Sequence, residues 1–118
     1  MFPCDGYLQL AKELALKKDE ASLRSAASRA YYASFHKIKL FAENNGTKFP
    51  GSKTFKIHGE VVQFLTGHRD PNMYHFGAEL DRMRKDRNSC DYDDSVKNIK
   101  KTIENALISA EEIFVNII

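Results

Sequence analysis

Residues 93–117 read DDSVKNIKKTIENALISAEEIFVNI. Val96, Ile99, Ile103, Ala106, Ala110, Ile113 and Ile117 recur there at steps of three or four, which brings them onto one face of a 3.6-residue helix. A stripe of that kind is the seam of a helix packed against other helices. Asp93 and Asp94 at its start suit the positive end of a helix macrodipole. The spacing predicts a last helix beginning near Asp93 and about 36 Å long at 1.5 Å per residue.

Immediately upstream lies the segment Arg82-Met83-Arg84-Lys85-Asp86-Arg87-Asn88-Ser89-Cys90-Asp91-Tyr92-Asp93-Asp94. An apolar stripe leads into it through Met73, Phe76, Leu80 and Met83. The next position on that stripe is Arg87, which stands almost directly above Leu80, because seven residues make two turns with only about 20° of drift. A guanidinium keeps its proton and is costly to bury alone. Arg87 therefore needs a partner at the helix end, in a structural ion pair or in a site. The spacing ends this helix near Arg87 or Asn88, with a turn through Asn88 and Ser89.

Working further outward, Asp70-Pro71 predicts an N-cap with proline at the first helical position. Three more helical segments precede it, at about 5–17, 21–43 and 57–66. The first carries Leu8, Ala11, Leu14 and Ala15 on one side. The second carries Leu23, Ala27, Ala30, Tyr31, Ser34, Ile38 and Phe41, and is rich in small residues that let a neighbouring backbone come close. Asn44-Asn45-Gly46 ends it. Residues 47–56 form a loop, and no stretch alternates as a strand would. The fold class is all-α, an antiparallel helical bundle, in a single domain over 1–118.

A hydrophobic fraction of 42% and a charged fraction of 29% are those of a globular chain, which excludes a disordered one. Net charge is only +2, so no global basic field points to nucleic acid. Such binding would come from the local cluster at 82–87, where Arg82, Arg84, Lys85 and Arg87 stand beside a single acid. Cys4 and Cys90 have no metal-ligand spacing, and no apolar run approaches the length of a membrane span. The setting expected is a reducing cytoplasm, with no membrane association. His75 and Glu79 share a helix face but lack further ligands nominated by sequence, so no metal is expected and no cofactor either. No nucleophilic triad, glycine-rich phosphate loop or metalloprotease motif occurs.

Two segments remain: Ser28-Arg29-Ala30-Tyr31-Tyr32-Ala33-Ser34-Phe35 on the second helix, and Arg87-Asn88-Ser89-Cys90-Asp91-Tyr92 before the last. In this order, in an all-helical chain of this length, they resemble the HEPN superfamily, and more closely its small stand-alone prokaryotic members. The resemblance spans about residues 5–117. It implies an up-and-down antiparallel four-helix bundle with a short additional helix, commonly a homodimer. Many members are metal-independent endoribonucleases, including toxins paired with a small nucleotidyltransferase antitoxin. Their motif is an arginine, a polar residue, and a histidine four to six positions on.

The resemblance implies that Arg87 is the phosphate or transition-state cation and that Asn88 donates hydrogen bonds. Asp91 would orient Arg87, and Tyr92 would line the floor of a cleft shared between two copies. Arg82, Arg84 and Lys85 would offer phosphate contacts. Arg29, Tyr32 and His36 are second-helix candidates for the same cleft. The histidine itself is missing: Tyr92, Asp93 and Asp94 occupy its three positions. Tyrosine titrates too high for an efficient base at neutral pH and a carboxylate too low. A domain that acts on or binds RNA or nucleotide in a toxin–antitoxin or defence setting, and if active is a metal-independent endoribonuclease, is one expectation. The alternative is a non-catalytic structural or dimerisation module that binds a nucleotidyltransferase.

Overall fold

The computed structural model describes residues 3–117 and holds five helices: α1 (Asp5–Lys17), α2 (Glu20–Asn44), α3 (Ile57–Thr66), α4 (Pro71–Tyr92) and α5 (Ile99–Asn116). The two-residue link between α1 and α2 makes them an antiparallel pair. Lys18 takes the left-handed conformation that closes α1, and the Asp19 carboxylate accepts the Ser22 amide at 3.0 Å to open α2. Asp70 caps α4 as its sequence predicts, accepting the Asn72 amide at 2.9 Å ahead of Pro71. Gly46, at φ +91°, takes the chain out of α2. Long α1, α2, α4 and α5 form the bundle and α3 is the short additional helix. The all-α bundle expected from periodicity is the observed architecture.

The long central helix α2 is the hub, packing against α1, α4 and α5 and touching α3. Ala26, Ala27, Ala30, Ala33, Ser34 and Ala42 are buried along it, so its neighbours approach its backbone closely. Around them Tyr31, Ile38, Leu65, Leu80, Met83 and Ile113 fill the main core, each almost fully enclosed. A smaller cluster, with Leu23, Cys90 and Ile103, closes the end of the bundle where α4 stops. At the crossing of α3 and α4, a Cβ on Gly77 would lie 2.7 Å from the Thr66 methyl and 3.0 Å from Leu65 Cβ. The glycine costs about 1 kcal/mol in helix propensity and allows that approach. The radius of gyration, 13.8 Å, matches the roughly 13.5 Å of a single compact domain of this length.

Two boundaries differ from the sequence reading. Helix α4 does not end near Arg87 or Asn88 but runs on to Tyr92, and α5 starts at Ile99 rather than near Asp93. One residue accounts for the first difference. Arg24 of α2 donates from Nη1 to the carbonyls of Cys90 (2.9 Å) and Asp93 (2.5 Å), and from Nη2 to that of Asp94 (3.0 Å). Carbonyls at a helix C-terminus lack intrahelical donors and carry partial negative charge, and a guanidinium from another helix satisfies both needs. The chain then crosses to α5 through residues 93–98. There Val96 still packs on the smaller cluster, and Asn98 adopts a left-handed φ of 52° just before α5. At 18 residues, α5 is about 27 Å long.

Replacing Arg24 with alanine removes the donors to three carbonyls at the α4 end, of which that of Cys90 is part-buried, and is expected to lower unfolding free energy by about 1–2 kcal/mol. Chemical denaturation measures this. Lys85→Ala, on a side chain 76% exposed, provides the comparison and should stay within about 0.5 kcal/mol of the parent.

Candidate functional site

With α4 extended, Arg87 and Asp91 become an i,i+4 pair on one helix, not residues facing each other across a turn. Arg87 Nε lies 3.0 Å from Asp91 Oδ2, as an ion pair that lacks hydrogen-bond alignment. Nη1 donates to Asn88 Oδ1 at 3.0 Å. The guanidinium carbon stands 5.1 Å from the centre of the Tyr32 ring and 6.0 Å from that of Tyr31. Its side chain is only 17% exposed. Among the described residues nothing pairs with Nη2. Arg87 is therefore clamped from one side by a carboxylate, seated on an aromatic face, and left with donors to offer.

The second-helix candidates join it in a continuous row. Arg29, Tyr32 and His36 fall three and four residues apart, which places them on one face of α2. Tyr32 and His36 lie 6.1 Å apart, roughly parallel. His36 in turn stacks on Tyr7 of α1 at 5.8 Å, and the Arg29 guanidinium lies 5.6 Å over the Tyr7 ring. The order along the surface is Arg29, Tyr7, His36, Tyr32, Arg87: two cations at the ends and three flat rings between.

A residue that the motif comparison did not nominate completes the group. His58, in the first turn of α3, packs 4.8 Å from Phe35 and 6.2 Å from Tyr32, ring centre to ring centre. Its Nδ1 is 2.5 Å from the Tyr31 hydroxyl. Burial raises the Tyr31 phenol far above its ordinary value, so it remains a hydroxyl. Burial also lowers His58, and the charges of Arg84 and Arg87 lower it further. His36 is lowered by partial burial between its ring neighbours and then by Lys39. Two imidazoles whose protonation is disfavoured thus stand in one arginine-bearing cluster. With its proton on Nδ1, His58 donates to the Tyr31 oxygen and leaves Nε2 as an open acceptor.

The remaining candidates scatter. Helix geometry divides the basic run 82–87, because successive residues turn by about 100°. Arg84 shares the Arg87 side and borders a shallow groove of about 280 Å³ with Phe55, Lys56, Gly59, Glu60 and Gln63. Arg82 points the other way: its Nη2 donates to the buried Ser109 hydroxyl on α5 at 2.6 Å, with Asp86 at 3.9 Å. Lys85 faces solvent and pairs with Asp81 at 3.1 Å. Tyr92 is 77% exposed at the last position of α4 and forms no floor beneath Arg87. The single basic face expected from the sequence is thus two arginines, Arg84 and Arg87.

One signal in the sequence could have nominated His58. It follows Ile57, whose stripe continues through the buried Val61 and Leu65, so His58 borders the inward face of α3. Comparison with family models, with curated proteins and with solved structures finds no match to the chain.

The two lowered imidazoles give the fold a pH dependence of definite sign. Below the ordinary histidine value of 6.5 the unfolded chain takes up protons before the folded one. The stabilisation they contribute is complete above that pH and is lost as pH falls through their lowered values. Melting temperature is expected to fall between pH 7 and pH 5, ahead of most carboxylate titration. His58→Gln should flatten that fall. An equally steep fall in the variant would show that His58 is not held neutral.

Proposed function

We propose that this chain is a HEPN-type domain that binds RNA or a nucleotide on the face formed by α2, α3 and α4. The observation that carries the reading is Arg87 lying over Tyr32 with its donors directed by Asp91. A phosphate takes hydrogen bonds from a guanidinium fork, and a base stacks on an aromatic ring. Both kinds of group stand side by side here, with Arg84 as a second cation. The proposed setting is cytoplasmic, in a toxin–antitoxin or defence system. The proposed assembly is a homodimer through the Arg87 faces, partnered by a nucleotidyltransferase.

His58 favours a second reading, in which the bound RNA is cut. The motif histidine is absent from the end of α4, but an imidazole enters the same cluster from α3. A neutral His58 can take the 2′-hydroxyl proton while Arg87 steadies the charged phosphorane. The 2′-oxygen then bonds to phosphorus and the 5′-oxygen leaves, taking a proton from water. The products are a 2′,3′-cyclic phosphate and a 5′-hydroxyl.

Fluorescence anisotropy with a labelled single-stranded RNA tests the binding. Affinity is expected to fall with rising salt, and to weaken about ten-fold or more in Arg87→Ala and in Tyr32→Ala. Tyr92→Ala should change it little. Equal affinity in the parent, Arg87→Ala and Tyr32→Ala would refute the assignment. Incubation of RNA in chelator tests the second reading: cyclic-phosphate ends should form with the parent and disappear in both His58→Ala and Arg87→Ala. A monomer by light scattering would remove the shared cleft.

A further inference from the structure

A different group of side chains lies on the seam between α4 and α5. His75 and Glu79 share a face of α4, and Glu112 of α5 meets them across the groove. His75 Nε2 is 3.0 Å from Glu112 Oε1 and 3.4 Å from Glu79 Oε1. One ligand-type atom from each of the three lies within 4.8 Å of the others. Adjacent ligands around a metal with bonds of about 2.1 Å are separated by about 3.0 Å at 90° and about 3.4 Å at the tetrahedral angle. The two imidazole–carboxylate separations match those spacings, and the shorter is also that of a hydrogen bond between His75 and Glu112. Sequence alone nominated the His75–Glu79 pair; the third donor, thirty-three residues beyond Glu79, comes only with the packing of α5 on α4.

Glu79 carries the second observation. Its side chain is only 13% exposed, and its Oε2 is buried without a well-aligned hydrogen bond, the Ser109 hydroxyl being the polar group beside the carboxyl. A buried carboxylate oxygen without an aligned donor is costly, and a cation on the same carboxylate supplies the missing charge. Arg82, one turn on, is engaged with the buried Ser109 hydroxyl. His75 and Glu112, 55% and 38% exposed, leave the outer side open to solvent.

From this geometry we infer that His75, Glu79 and Glu112 bind a divalent transition metal, with Zn²⁺ the best fit. One imidazole nitrogen and two carboxylate oxygens suit a borderline ion better than Mg²⁺ or Ca²⁺, which favour all-oxygen shells. Three protein ligands leave a position for water. The site lies about 12–18 Å along α4 from Arg87, so it is separate from the nucleotide face and independent of that proposal. It ties α4 to α5 where the two helices otherwise share few contacts.

Calorimetric titration of the chelator-stripped full chain with Zn²⁺ at pH 7 tests the inference. One saturable site is expected, weakened about ten-fold or more by His75→Gln and, separately, by Glu112→Gln. Both side chains are exposed enough for the variants to fold, which melting in chelator checks. Zn²⁺ should raise the melting temperature of the parent by more than that of either variant. With Co²⁺ as a spectroscopic probe, weak visible bands of nitrogen and oxygen ligands are expected. Absence of saturable binding, binding unchanged in both variants, or an intense near-ultraviolet thiolate band pointing to cysteine would each overturn the assignment.

Discussion

The close approach of four helices to the small-residue faces of α2 is the constraint on which the structure depends. Alanines and Ser34 bring neighbouring backbones near the helix axis, so the few large side chains on α2 reach well into the elements around it. Tyr31 is the clearest case. It is fully buried, yet its hydroxyl meets His58 on α3 and its ring lies beneath Arg87 on α4. Larger residues at Ala27, Ala30 or Ala33 would push these helices outward and separate the three contacts together. Packing density and site geometry are therefore one property of this molecule.

Arg87 answers to two descriptions that do not compete. An ion pair with Asp91 one turn away is worth a few tenths of a kcal/mol when exposed, and at these partly enclosed positions desolvation offsets part of the stronger attraction. The ring of Tyr32 beneath the guanidinium adds about 1 kcal/mol. These contacts hold the side chain in one place and leave it charged. Ordering a long side chain beforehand removes an entropy cost that a ligand would otherwise meet on binding. A structural clamp of this sort is what a phosphate-binding arginine needs.

Periodicity made most of the fold legible. Leu8 and Ala11, then Leu23 to Ile38, then Ile103 to Ile113 fell on buried faces because a helix with one apolar stripe has only one way to face a core. At the α4–α5 junction local sequence and structure part for a physical reason. Asn88 and Ser89 read as a turn and Asp93 as a helix start, since local chemistry favours both. The deciding group, Arg24, lies 66 residues from Cys90, whose carbonyl it holds, and no local rule connects them. Arg29, Tyr32, His36 and Arg87 were nominated through a pair of motifs and do come together. Arg82, Lys85 and Tyr92 do not, because nearness in sequence is not a shared face on a helix.

The same long-range packing brings an imidazole to the Arg87 cluster from outside its own helix. A motif binds an imidazole to an arginine by sequence spacing, but chemistry asks only that the two meet in space. Here α3 brings His58 to the cluster, and α3 is held at both ends of its approach. The Glu60 carboxylate accepts the Gly51 amide at 2.8 Å, fixing the loop that leads in, and Gly77 lets α3 settle onto α4. The distance from His58 to Arg87 thus depends on helix–helix packing rather than on a turn at the end of α4. The chain can keep arginine and imidazole in one cluster although the residues after Arg87 are Asp and Tyr.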